Sequence, residues 1–132
     1  MIFVDSSFWG ALLMHRDARH RAAAALLSTH ANTPLITTNV VRGETWTLIG
    51  AREGHYTATR FLDLLAKTKR VEVLAVDPGL EDEAIEWLRG HDERSYSYAD
   101  ATSFAVMRKK RIMNALAFDS DFSAAGFVEL RP

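Results

Sequence analysis

Short apolar runs alternate with longer stretches of helical period along this chain, a rhythm that predicts a parallel sheet covered by helices. Ile2 to Asp5 reads as the first strand, Leu35 to Thr37 as the second and Val71 to Val76 as the third. Ile112 to Phe118 and Phe127 to Leu130 are the last two. Between them the spacing predicts helices over Ser6 to Met14, Asp17 to His30, Val40 to Arg52, Tyr56 to Lys67, Leu80 to Leu88 and Ser97 to Lys110. Asn39 stands where it can cap the third of these, and Asp77-Pro78 is a start signal for the fifth. Phe8 and Leu12 belong to the buried side of the first helix, Ile85 and Leu88 to that of the fifth. With 132 residues and no shift in composition, residues 1–132 read as one α/β domain.

Four carboxylates fall where an apolar run hands over to a helix or its first turns. Asp5 closes Ile2-Phe3-Val4, and Asp119 closes Ala115-Leu116-Ala117-Phe118. Glu44 lies just inside the helix that follows Pro34-Leu35-Ile36-Thr37, and Asp100 lies in the opening turn of the helix announced by Ser97. Right-handed crossovers place all strand carboxyl ends on one side, where open α/β sheets form their ligand crevice. The four acids then share one rim. Acids crowded that closely cannot all stay ionised without a cation, so the pattern predicts a divalent metal and phosphoryl chemistry.

Each acid also has a local alternative. Asp5 in Asp-Ser-Ser is good N-cap chemistry, Ser97-x-x-Asp100 has the form of a capping box, and Asp119 and Asp121 can cap the short segment after the strand. Glu44 shares a helix face with Val41, Leu48 and Thr45, which predicts that it points inward, where an unpaired carboxylate is costly. Four such coincidences at one rim favour a shared site over four separate caps.

The remaining residues mainly exclude. There is no cysteine, so disulfides, zinc-thiolate sites and cysteine nucleophiles are absent. The five histidines contain no His-x-x-x-His pair, which disfavours a histidine-rich zinc site. A net charge of −1 is unlike a protein that coats DNA non-specifically, but is compatible with an enzyme that grips a short RNA locally. Arg108-Lys109-Lys110-Arg111 could bind phosphate backbone, yet sits at a helix C-terminus, where a solvated basic end is the simpler role. Trp9, Trp46 and Trp87 have helical spacing with apolar partners, as core or interface residues do. Phe8 to Met14 is too short for a secretory signal and follows Asp5 rather than a basic region; no run approaches a membrane span. The expected location is the cytoplasm.

Thr38-Asn39-Val40-Val41-Arg42-Gly43-Glu44-Thr45-Trp46-Thr47-Leu48 resembles the second acidic motif of PIN-domain ribonucleases of the VapC toxin type. Ser97-Tyr98-Ala99-Asp100-Ala101-Thr102-Ser103-Phe104-Ala105-Val106-Met107 resembles the third, Asp5-Ser6-Ser7 the first, and Ala115 to Phe122 with Ala125-Gly126-Phe127 the last. Order and spacing agree over essentially the whole chain. The resemblance implies a three-layer α/β/α sandwich with a central, mainly parallel sheet, and an endoribonuclease dependent on Mg²⁺ or Mn²⁺. It carries Asp5, Glu44, Asp100 and Asp119 over as the catalytic and metal-holding set, with Asp121 as a further candidate and the Ser6 hydroxyl as a support for a metal-bound water. It also implies an RNA substrate (tRNA, rRNA or mRNA), a small cognate antitoxin and a homodimer, contacts to which Phe8 and Trp9 are candidates unless they pack in the core. Many relatives have histidine at the place of Asp121, and many have Thr or Ser where this chain has Ala117.

Other functions on similar sheets fit less well. A phospho-acceptor receiver pairs acids after its first strand and places a lysine after its last, and neither is present. Asp119-Ser120-Asp121 resembles a haloacid-dehalogenase nucleophile motif, but that motif must open its domain, whereas only Phe122 to Pro132 follow here. No Gly-x-Gly-x-x-Gly follows the first strand, which excludes a dinucleotide fold. The serious alternative is a PIN-fold protein that acts by binding a partner, with weak catalysis.

Overall fold

In the computed structural model, which describes residues 1–132, five strands form one all-parallel sheet. They are β1 (Ile2–Val4), β2 (Leu35–Thr38), β3 (Val71–Leu74), β4 (Asn114–Leu116) and β5 (Val128–Glu129). Their order is β3-β2-β1-β4-β5, with Phe3 opposite both Ile36 and Ala115 at the centre. The helices are α1 (Ser6–Leu13), α2 (His20–Thr29), α3 (Asn39–Glu53), α4 (His55–Lys67), α5 (Pro78–Arg89), α6 (Tyr98–Lys110) and the single turn α7 (Asp121–Ala124). The steps from β1 to β2 to β3 run one way across the sheet, so their right-handed crossovers put α1 to α4 on one face. The return from β3 to β4 and on to β5 puts α5 to α7 on the other. This is the expected three-layer α/β/α sandwich. No helix is long and apolar enough to cross a membrane.

Strands covered on both faces are mainly apolar, and β1 and β2 are buried along their whole length, the Thr37 hydroxyl donating to the Val4 carbonyl at 2.9 Å and Thr38 capping the next helix. The core continues into α6, where every residue from Ala99 to Met107 is buried. Its small residues (Ala99, Ala101, Ser103, Ala105) let neighbours approach closely, while the Thr102 and Ser103 hydroxyls donate back to the Ala99 carbonyl.

The structure moves several local expectations. β3 ends at Leu74 rather than Val76, because the Val76 N–H leaves the ladder and donates to Asn39 Oδ1 at 2.8 Å. Asn39 is therefore not the cap of α3; Thr38 is, its Oγ1 accepting from the Val41 N–H at 3.0 Å. α2 starts at His20 rather than Asp17, since Asp17 closes a turn, accepting from the Arg19 N–H at 2.8 Å. Ile85 is exposed, because the buried stripe of α5 runs through Leu80 and Ala84. Phe8 and Trp9 are both in the core, Phe8 stacked on Phe118 at 5.8 Å and Trp9 against Phe61 at 5.9 Å, and so are not available to a partner. Asp77 with Pro78 does start α5, and the run Arg108 to Arg111 is the exposed basic end of α6.

The reversal of strand order lies at β1, whose far neighbour β4 is reached only after the chain has built β2 and β3. The crevice of such a sheet opens between the carboxyl ends of β1 and β4. The residues that leave those two ends carry Asp5 and Asp119.

Candidate active site

Asp5, Asp100 and Asp119 each offer a carboxylate oxygen within 4.8 Å of the others. Each is aimed by the capping chemistry that its surroundings suggest. Asp5 is the N-cap of α1, its Oδ2 accepting from the Ser7 N–H at 3.2 Å and the Ser7 hydroxyl at 2.7 Å. Asp100 completes a capping box with Ser97, its Oδ2 accepting from the Ser97 N–H at 3.0 Å. Asp119 accepts from the Asp121 N–H at 3.1 Å through Oδ1. Capping and site-building are thus one arrangement, in which each acid commits one oxygen to a local N–H. The other oxygen of Asp5, Oδ1, is buried without any hydrogen-bond partner.

That orphaned oxygen sits among like charges in a poorly solvated place. Burial, then the charge of Asp119, holds the Asp5 carboxyl well above the ordinary carboxylate range. Burial is also the main cause at Asp100, with Asp119 and Asp121 adding to it, and pushes its carboxyl up to about 7. Asp119 lies at the exposed edge of the group, yet desolvation on its inward side and the charge of Asp121 raise it as well. Burial and mutual repulsion push all three carboxyls toward the neutral form, and a cation held among them would favour the ionised form instead. The donors are all oxygen, one is buried and unsatisfied, and their spacing suits a single hard divalent cation. The residues fit a metal.

Other candidate residues stand differently. Glu44 is exposed rather than inward-facing, and is not part of the three-acid group. The buried stripe of α3 is Val41, Thr45 and Ile49, four residues apart, and Glu44 lies about a quarter-turn off it. α3 does touch α6, the helix that carries Asp100. Asp121 is outside the three-acid group and is paired with Arg94, which bonds its Oδ1 from Nε at 3.1 Å and Nη2 at 2.9 Å. Ser7 supplies a hydroxyl that supports the acids: Ser7 Oγ donates to Asp5 and accepts from the Phe118 N–H at 2.9 Å, tying β1 to β4 at the rim. An N-cap side chain bonds the second or third residue after it, and Ser7 is that second residue, so the capping rule could have singled it out.

Two more residues carry no local sequence signal. Arg94 comes from the loop between α5 and α6 and also binds the Ser120 hydroxyl at 3.0 Å. Glu129, on β5, accepts from the Ser120 and Ser123 N–H groups at 3.3 and 2.9 Å and from Arg131 at 2.9 Å. Burial opposes ionisation of Glu129, but those donors outweigh it and hold the carboxyl below its ordinary range. Together they brace the turn at Ser120, a non-glycine residue in the left-handed region at φ 65°, which points the Asp121 N–H back at Asp119.

Ser7→Ala removes the donor to Asp5 and leaves the Phe118 N–H without its acceptor. The variant is expected to lose about 1–3 kcal/mol of stability in a denaturant titration. Ser6→Ala, by contrast, should stay within about 0.5 kcal/mol of the parent protein.

Comparison with known proteins places this geometry. The PIN domain family model matches residues 2–128. A protein of Mycobacterium tuberculosis named 23S rRNA-specific endonuclease VapC20 is 56% identical over 133 aligned positions, covering 100% of this chain and 99% of its own length, in both strain CDC 1551 / Oshkosh and strain ATCC 25618 / H37Rv. The crystal structure of Mycobacterium tuberculosis VapC20, described as a sarcin-ricin loop cleaving toxin, superposes with a TM-score of 0.94 at 53% identity and full coverage of both chains.

Proposed function

This chain belongs to the PIN-domain family, and from that premise we propose that it is the toxin of a toxin–antitoxin pair: a metal-dependent endoribonuclease that hydrolyses RNA phosphodiester bonds. The observation that carries this is the convergence of Asp5, Asp100 and Asp119 around the unpartnered Asp5 Oδ1. The name of the Mycobacterium tuberculosis relative supports ribosomal RNA as the substrate, and we propose a structured loop of 23S rRNA as the target. The proposed partners are a small cognate antitoxin and a second copy of the chain, with residues 1–132 acting as one domain in the cytoplasm.

Asp5, Asp100 and Asp119 would hold the metal, with Mg²⁺ or Mn²⁺ the ions their oxygen-only set suits. A divalent ion held there would supply Lewis-acid chemistry, making a water more acidic and offsetting charge on the phosphate and leaving oxygen. The protein's own part is orientation. Ser7 fixes Asp5 against the end of β4, Ser97 fixes Asp100, and the braced turn at Ser120 fixes Asp119. Glu44, exposed on the second turn of α3, is proposed to orient the attacking water or to hold a second ion. Arg94 neutralises Asp121, which leaves Asp121 outside the ligand set in this proposal.

The test is cleavage of ribosomal and transfer RNA by wild type, Asp100→Asn and Glu44→Gln, with and without Mg²⁺ or Mn²⁺. Metal-dependent cuts that leave 5′-phosphate ends are expected, lost in Asp100→Asn and reduced by at least about tenfold in Glu44→Gln. A wild-type protein that cuts none of these RNAs under any metal would favour a partner-binding role for the fold.

A further inference from the structure

The largest cleft in the molecule, about 400 Å³, opens beside the acidic group between α1, the turn before α2 and the end of α3. Ser7, whose hydroxyl holds Asp5, and Phe118, the residue before Asp119, form part of its wall, so the cleft adjoins the acids. One side is apolar, with Met14 and Leu48 meeting at Gly10. A Cβ at Gly10 would lie 3.1 Å from Met14 Cε and 3.3 Å from Leu48 Cδ2, so the missing side chain lets both pack close against α1 as one apolar wall.

The cations near the rim divide into two kinds. Arg94 is paired with Asp121 and Arg131 with Glu129, each at 2.9 Å. Arg19 and Arg52 have no carboxylate partner, and both line the cleft. Arg19 is already oriented: its guanidinium donates to the Phe118 carbonyl, one residue before Asp119, and lies 5.4 Å over the Phe118 ring. Asp17, the one carboxylate in the lining, accepts from the backbone N–H of Arg19 and not from either guanidinium, so the lining keeps a net positive charge. Arg52 also complements the C-terminal dipole of α3, which accounts for a cation there but not for the cleft it shares with Arg19.

An unpaired guanidinium is a fork for phosphate, and an apolar surface beside it suits the face of a base. We propose that this cleft is a nucleotide subsite. It holds a nucleotide adjoining the scissile phosphate in an unpaired stretch of RNA, with Arg19 and Arg52 on its phosphates and its base against the side formed by Gly10, Met14 and Leu48. The subsite rests on the nuclease function proposed above, and it also gives a polyanion a foothold beside an acidic centre that would otherwise repel it.

Equilibrium binding of a fluorescently labelled RNA stem-loop in EDTA, where no metal-dependent cut is expected, tests it over a range of salt. Arg52→Ala should weaken binding about tenfold and Arg19→Ala with Arg52→Ala further, with the dependence of log K on log salt shallower by about 0.7 for each phosphate no longer neutralised. The control Lys109→Ala with Lys110→Ala, at the far end of α6, should change affinity by less than about twofold. Because Arg19 also holds the Phe118 carbonyl, Arg52→Ala, which breaks no hydrogen bond, decides the matter. Binding by Arg52→Ala equal to wild type, or an equal loss in the lysine control, would overturn the subsite, as would a wild-type protein that binds no RNA. Failure of the nuclease function would show separately, as wild-type protein that binds RNA in this arginine-dependent way but does not cut it when metal is added.

Discussion

Asp5→Asn is expected to lower RNA cleavage by at least about 10³-fold while making the metal-free protein more heat-stable, two effects of opposite sign from one atom. The amide keeps the shape of the carboxylate, and its oxygen can still accept from the Ser7 N–H as the cap of α1. It removes a carboxyl whose ionised form burial and Asp119 oppose, so the folded state without metal no longer bears the cost of ionising or protonating that group. The same change removes the buried oxygen that has no partner in the protein and that we assign to the metal. A purely structural Asp5 would give the reverse pattern, in which stability falls and activity follows it down. Thermal unfolding in EDTA beside single-turnover cleavage separates the two, and an Asp5→Asn protein that cuts RNA at the wild-type rate would remove Asp5 from the mechanism.

The three converging acids were legible because each is set by short-range rules. Asp5 and Asp119 end apolar strands, Asp100 sits three residues after a capping serine, and chain topology alone brings the three places to one rim. What the sequence left uncertain depends on phase or on distant pairing. The phase of α3 is ambiguous from composition, since Leu48 is only half-buried while Thr45 is fully buried, and this turned Glu44 inward in expectation and outward in the structure. Phe8 and Trp9 are adjacent, so periodicity that turns Phe8 inward leaves Trp9 undecided; both are buried, packed between α1 and its neighbours. Arg94 reaches Asp121 across 27 positions and Arg19 reaches the Phe118 carbonyl across 99, pairings no local pattern encodes. The bond from Ser7 to Asp5 is different in kind, because the capping rule already points to the second residue after the cap.

Addition of Mn²⁺ or Mg²⁺ should raise the thermal midpoint by about 10 °C at a hundredfold excess over its dissociation constant, since such an excess contributes about 2.7 kcal/mol to the folded state. The pH dependence fixes the origin of that shift. Asp100 titrates near 7 in the folded metal-free protein rather than at its ordinary 3.8, and Asp5 and Asp119 are displaced in the same direction. Between those limits the folded state therefore binds more protons than the unfolded chain, and metal-free stability rises as the pH falls from about 7 toward 4. Metal needs the same groups ionised, so its stabilising effect is largest above pH 7 and fades on acidification as protons displace it. Midpoints measured with metal and with EDTA should thus lie far apart at pH 8 and converge toward pH 5. In Asp100→Asn the gap at pH 8 should nearly close, because a ligand and a titrating group are lost together. A gap that stays constant from pH 8 to pH 5, or survives Asp100→Asn, would place the metal elsewhere on the protein.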